Sequence, residues 1–575
     1  MVDDCRIQRR RADDKGKFSS PRLLQSLRLA FVLNYHQEDD FPPSFLLTVL
    51  QRPSAILSVL VYNPATTCHN QPMASWYTNI QSFFTRSKQQ RLRIGFWDAF
   101  GLIPISEPLD HFNTHLYVVG QSGQGKSKFL QHLLAQLTTT TWGCGLFDPH
   151  SDLASDLLAQ LASHPRPQPW LSQPSNRQRV IYLDPSRTDY LLPCNILRNP
   201  ASTPYEIAEN VIEAFRRVWP DTLSEAPRFA QIMRNGVLVL VECGLSLLEL
   251  EALLTHKEFR NRMLAKVKDP LVVSFFKNQF DRWQRDQAIF VSPVLNKVSA
   301  FLFQPQVRHM LGANENCLDW RAIIDGGKVL ILNLGGFRDE ETQRLLGSLF
   351  LTSLEQAAFS RSTQPAHERR PFFCMIDEFP LFCARDQTSL ARILSECRKY
   401  RLHLGLAHQT IAQLPGGRIQ GALENARLKV IFGTGRQTAE TIARELFMPD
   451  TRAVKHEVRD DSAKERTHPV FDPLIEQFES FTQTLQRLRP RHAVVKLADR
   501  ERVHHVRIPS VPPSQVSGDH LERVKRALSA AVGKPYAVLE EEIAQRTKRM
   551  GVPFSLAGDR QPLAEDVPDN QDFWQ

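Results

Sequence analysis

The 575-residue chain contains no apolar run reaching the ~18 residues of a membrane-spanning helix. Its nearest approach, Phe45 to Val61, is interrupted by Gln51-Arg52-Pro53. The N-terminus carries Asp3 and Asp4 and no apolar stretch, so it does not read as a secretory signal. The nine cysteines are scattered and form no C-x-x-C pair. That argues against structural zinc and a disulfide framework, and it fits a reducing compartment. No fixed-period repeat, zinc finger or convincing helix-turn-helix is found. Charge of one sign is also in short supply: the formal net charge is +9, mild for this length, which permits a polyanionic partner without requiring one. What remains is a chain long enough for roughly three or four domains. Its 42% hydrophobic content is ordinary for a globular protein. The expected location is cytoplasmic, with any membrane association supplied by partners.

The most informative segment is Gly120-Gln121-Ser122-Gly123-Gln124-Gly125-Lys126-Ser127, which fits G-x-x-x-x-G-K-[ST]. Glycines at this spacing let backbone N–H groups close round a phosphate chain. Lys126 can reach the β- and γ-phosphates, and the Ser127 hydroxyl can ligate Mg²⁺. The surroundings suit the motif. Leu116-Tyr117-Val118-Val119 reads as a buried strand, and Ser127 to Leu137 as a helix whose N-terminus faces the anion.

Strand candidates recur at Leu116–Gly120, Cys144–Asp148, Val180–Asp184, Val329–Leu334, Phe372–Asp377, Leu402–His408 and Leu428–Gly433. Several are followed by amphipathic helical text, which predicts an α/β fold with a mainly parallel sheet covered on both faces. Between about 200 and 320 the text turns helical: Tyr205–Trp219, Ala226–Glu242, Ser246–Leu254 with Ser246 as N-cap, Phe275–Trp283, and Pro293–Leu311. The expected division is a basic disordered tail (1–18), an N-terminal accessory domain (19–90) and the first part of the core (91–199). An all-helical insertion (200–320) and the second part of the core (321–510) follow. The chain then closes with C-terminal helices (511–556, including Gly518–Val532 and Tyr536–Met550) and an acidic disordered tail (557–575). The charged stretch Arg452–Arg466 reads as a solvated loop, with a pore lining as the alternative.

Hydrolysis needs carboxylates beside the phosphate loop. Phe372-Phe373-Cys374-Met375-Ile376 reads as a buried strand that delivers Asp377, a candidate for the Mg²⁺ shell, and Glu378, a candidate to orient or deprotonate water. The next strand ends in Gln409, whose amide can hydrogen-bond the γ-phosphate or the lytic water. Between the two lies the helix Leu390–Tyr400. Its Arg398, with Lys399 beside it, is a candidate for neutralising charge on a neighbouring subunit's phosphoryl group.

Together these residues resemble the FtsK/HerA superfamily of P-loop motor ATPases, and most of all the type IV coupling proteins of conjugative DNA transfer. His115 to Ser127 is similar to the family's first motif. Asp148-Pro149-His150-Ser151-Asp152 looks like its Asp-Pro-His-Gly-Asp segment, with Ser151 where Gly is usual. Leu192-Pro193-Cys194-Asn195-Ile196-Leu197, Ser292 to Lys297, Ile376-Asp377-Glu378-Phe379 and Ala407-His408-Gln409 extend the likeness over roughly 90 to 510.

The resemblance implies a RecA-like core, ATP and Mg²⁺ as cofactors, assembly as a homo-hexameric ring and sequence-independent translocation of single- or double-stranded DNA. It also implies secretion or relaxase-type partner proteins, and it strengthens Arg398 as a trans-acting group. The role of Asp148 is open, with coupling of the nucleotide site to substrate loops as one reading. The transmembrane helices usual in membrane-anchored coupling proteins are not seen. A HerA-like DNA-processing ATPase, a protein-translocating secretion ATPase and a non-motor nucleotide-binding regulator therefore stay open as alternatives.

Overall fold

The computed structural model describes residues 90–97, 103–163, 169–199, 202–219, 227–382, 388–414, 421, 423–451, 454–459, 467–500, 502–511 and 516–552. All lie in the unit Lys88–Gln575. The expected basic tail, nearly all of the accessory domain and the acidic tail fall outside these residues.

In chain order the strands are β1 (Arg91–Trp97), β2 (Pro104–Pro108), β3 (Leu116–Val119), β4 (Gly143–Asp148), β5 (Val180–Leu183), β6 (Tyr190–Leu191), β7 (Val329–Asn333) and β8 (Phe372–Ile376). They continue with β9 (Leu402–His408), β10 (Leu428–Phe432), β11 (Val454–Arg459), β12 (Thr467–Phe471), β13 (His492–Lys496), β14 (Val503–Arg507) and β15 (Lys534–Pro535). Eleven of them make one sheet, ordered β2-β1-β14-β13-β10-β3-β9-β8-β4-β7-β5. From β10 to β5 every pairing is parallel, whereas β13, β14, β1 and β2 join antiparallel along one edge. Strands β3, β4, β7, β8, β9 and β10 are buried along their whole length. That is why they read as continuous apolar runs rather than alternating ones.

Two clusters of apolar side chains pack the two faces of the sheet. Helices Lys126–Leu137 and Asp152–Ser163 cover one. The other continues without a break into the helical insertion, Pro204–Val218 through Pro305–Leu311. Helix Glu340–Phe359 lies in this second cluster and buries thirteen of its twenty residues. A helix apolar on most sides shows little 3.6-residue periodicity, so the sequence reading did not pick it out. The insertion is stitched closed at its neck by Asn195. Its Nδ2 donates to the carbonyls of Leu245 and Ala313, and its Oδ1 accepts from Leu197 N–H. Ser246 caps its helix in a reciprocal arrangement with Glu249.

Two expectations need correction. Residues 454–459 of the charged stretch are not loop: they form β11, paired antiparallel with β12. The segment Phe275–Trp283 is not one regular helix but a π turn (Phe275–Gln279) followed by a 3₁₀ stretch (Phe280–Asp286) kinked at Gln284. The expected C-terminal helices Gly518–Val532 and Tyr536–Met550 form, and they pack into the body of this unit. Helix Gly518–Val532 buries Val524 and Leu528 in the same apolar cluster as the sheet. Helix Tyr536–Met550 inserts Arg546 into the helical region. There the guanidinium donates to Glu249 Oε1 at 2.8 and 3.0 Å, Ser246 Oγ at 3.1 Å and Asn314 Oδ1 at 2.9 Å.

Arg546 and Glu249 are both buried. Removing one partner of such a pair leaves the other charge uncompensated. Arg546→Ala is expected to lower unfolding free energy by about 3–5 kcal/mol and to make helix Tyr536–Met550 protease-sensitive first. An unchanged denaturation midpoint would show that this contact does not hold the helix down.

Candidate nucleotide-binding and hydrolytic site

The phosphate loop leaves β3 at the carboxyl end of the parallel strands. Its root is held from both sides: Gly120 N–H donates to the His408 carbonyl (3.3 Å) and Gln121 N–H to that of Gly433 (3.0 Å). A Cβ at Gly120 would lie 2.4 Å from that of Phe432, so the loop can start there only as glycine. Gly123 and Gly125 have φ of +79° and +103°, which side chains disfavour. The far side rests on Arg491, whose N–H donates to the Gln124 carbonyl at 2.8 Å. Helix Lys126–Leu137 starts at Gly125 with no side-chain cap, leaving first-turn N–H groups for an anion. Gln121, Ser122, Gly123 and Ser127 are exposed, whereas Lys126 is buried.

Strand β8 brings Asp377 and Glu378 to the same edge, with β9 between it and β3. Lys126 Nζ pairs with the Glu378 carboxylate and stands 3.5 Å from Asp377 Oδ1. All three residues are at most 7% exposed. Burial pushes the Asp377 carboxyl up, with the Lys126 ammonium opposing it. Glu378 has φ +45°, an unfavourable backbone for a non-glycine residue, of the kind that persists where surrounding structure enforces it. Gln409 Nε2 donates to Glu378 Oε1 at 3.1 Å. The structure therefore brings Lys126, Asp377, Glu378 and Gln409 into one cluster.

Arg398 is not part of that cluster. It is exposed, in the 3₁₀ turn Cys397–Tyr400 that precedes β9, so it sits at the amino end of a strand whose carboxyl end carries Gln409. The strand between them spans about 20 Å. Asp148, at the end of β4, accepts from His150 N–H (2.9 Å) and Ala154 N–H (2.8 Å). Its carboxyl is raised by burial and by nearby Asp377. It thus organises the turn into helix Asp152–Ser163. Ser151, at the position where glycine is usual, has φ +69°; the departure from the motif is a serine held in a glycine conformation.

Sequence reasoning missed Arg491 as a support of the loop, because it lies far along the chain in a turn with no motif.

Residues 103–354 match the family model described as Helicase HerA, central domain (DUF87). This stretch, which is similar to that domain, carries the phosphate loop and the helical insertion, and the fold is that of a P-loop NTPase. Asp377, Glu378, Arg398 and Gln409 lie beyond the matched stretch. No curated protein matches the chain. Among solved structures it is similar to the unbound monoclinic form of the bacterial conjugative coupling protein TrwBdeltaN70, at 19% identity and TM-score 0.49, over 76% of this chain and 93% of that one. It is also similar to the plasmid coupling protein TrwB in complex with ADP and Mg²⁺, at 19% and 0.48, over 76% and 93%. A third likeness is to VirB4 of Thermoanaerobacter pseudethanolicus, at 11% and 0.47, over 73% and 96%. At these values the likenesses assign no activity to this chain. Among the described residues, no helix is long and apolar enough to cross a membrane.

Glu378→Gln keeps shape and removes the charge that pairs with Lys126. If the carboxylate serves the attacking water, turnover of ATP should fall at least about 100-fold while ATP binding persists. Normal turnover would remove Glu378 from the chemistry.

Proposed function

We infer that the protein is an ATP hydrolase that works as a ring motor on DNA. The observation that supports the hydrolytic part is the convergence of Lys126, Asp377, Glu378 and Gln409 at one strand edge beside two left-handed glycines. In this reading the loop 120–127 and the helix N-terminus cradle the phosphates, Ser127 and Asp377 hold Mg²⁺, and Lys126 moves from the acids to the β- and γ-phosphates. The donor set fits: an exposed hydroxyl, a buried carboxylate and an ammonium already neutralised by two acids. When bound, Mg²⁺ offsets charge on the transferred phosphoryl group. Glu378 then accepts a proton from water positioned by Gln409.

Arg398 cannot serve its own subunit's site from the opposite end of β9, so its part in catalysis requires a neighbouring copy, as in a homo-hexamer. The motif series and the HerA-like domain favour DNA as the substrate. Backbone phosphate is what a sequence-independent motor would grip, and that contact weakens steeply with salt. Partners of the secretion or relaxase type belong to this reading too.

ATPase rate measured with and without single- and double-stranded DNA, at 50 and 200 mM salt, tests the substrate. Salt-sensitive stimulation is expected; none with either form would turn the assignment towards a protein substrate. Mixing Arg398→Ala with Lys126→Ala protein tests the trans arrangement. Each alone should be inactive, and mixtures should recover part of the rate, because some interfaces then pair an intact loop with an intact arginine. No recovery at any ratio, with assembly intact, would rule that arrangement out.

A further inference from the structure

One buried polar pair next to the candidate hydrolytic cluster has no part in the functions assigned so far. Tyr117 projects from the middle of β3, and its hydroxyl lies 2.7 Å from His408 Nε2. His408 Nδ1 is 2.9 Å from the Thr410 carbonyl. A carbonyl only accepts, so Nδ1 carries the proton and Nε2 accepts from the Tyr117 hydroxyl. In the neutral ring these two contacts fix a single tautomer. Burial pushes its pKa down to about 4, with Lys126 acting in the same direction.

His408 also touches the site at three further points. Its backbone carbonyl receives Gly120 N–H, the first donor of the phosphate loop. Its ring meets the Phe379 ring edge-on at 5.2 Å, and Phe379 directly follows Glu378. The next residue, Gln409, donates to Glu378, while Gln413 Oε1 accepts from the N–H groups of Gln409 and Thr410. The charged and titratable groups round the pair are Lys126 and Glu378 on the site side. Lys429 stands 6.0 Å above the Tyr117 ring on the other, paired with Glu445.

We propose that Tyr117 and His408 form a positioning pair that holds Gln409 on Glu378 and ties both to the root of the phosphate loop. The proposal rests on the hydrolytic reading of Glu378. Neither residue touches the reacting atoms. The Tyr117 hydroxyl locks the imidazole orientation, the imidazole locks the 408–410 turn, and that turn sets where the Gln409 amide points.

Tyr117→Phe removes one oxygen and leaves the Nε2 acceptor without its donor. The ring then loses the contact that fixes its orientation, while the burial that keeps its pKa low stays in place. In the variant the 408–410 turn is expected to loosen, so that the Gln409 amide no longer stays on Glu378.

The test is the steady-state ATPase of the full chain, for wild type, Glu378→Gln and Tyr117→Phe, with melting temperature measured alongside. The expected result is a kcat lowered by about tenfold in Tyr117→Phe, with KM for ATP and melting temperature near wild type. A Tyr117→Phe kcat equal to that of wild type would overturn the proposal. So would a loss matched by a rise in KM or a lowered melting temperature, because those mark a purely structural role. Wild type without turnover would overturn the hydrolytic reading itself, and the proposal with it.

Discussion

Lys126 is an ammonium group buried at the start of the helix that follows the phosphate loop, and the surrounding structure is built to make that tolerable. An unpaired charge there would cost several kcal/mol, so carboxylates must face it, and Asp377 and Glu378 do. Two acids side by side in turn need more than one cation, and Gln409 supplies a further donor to Glu378. The same edge must fold back on itself at Glu378, whose φ of +45° is affordable only inside such a network. A phosphate chain offers Lys126 an alternative partner, which gives this cluster two electrostatically sensible arrangements and makes it suited to switching.

A second buried charge ties the insertion to the core. Glu355, in the central helix Glu340–Phe359, is fully buried and receives Arg217 from the insertion at 3.2 Å and Arg392 from helix Thr388–Glu396 at 2.6 Å. Burial pushes its carboxyl up while the two arginines oppose that shift. Helix Thr388–Glu396 runs directly into the turn that carries Arg398. The insertion, the central helix and the helix that leads into the Arg398 turn thus meet at one carboxylate.

Much of the fold was legible because the parallel strands are buried on both faces. Continuous apolar runs such as Phe372–Ile376 and Leu402–His408 announce themselves, and so do caps such as Ser246. The elements that were not legible share a physical reason. Strands β1, β2 and β14 lie at an antiparallel edge, where pairing with neighbours rather than burial decides the conformation. Helix Glu340–Phe359 is too uniformly buried to show a polar face. β11 is highly charged and owes its strand conformation to pairing with β12.

Residue types and spacing along the chain by themselves determined the phosphate loop, the acidic strand end and the alternation that makes an α/β fold, because these depend on local geometry and burial. Only the tertiary structure decided that Gln409 donates to Glu378, that Arg398 stands at the opposite end of β9 from Gln409, and that the Tyr117 hydroxyl meets the His408 ring. Each of these depends on strand order, β3-β9-β8. That order sets far-apart segments side by side through pairings that no local pattern encodes.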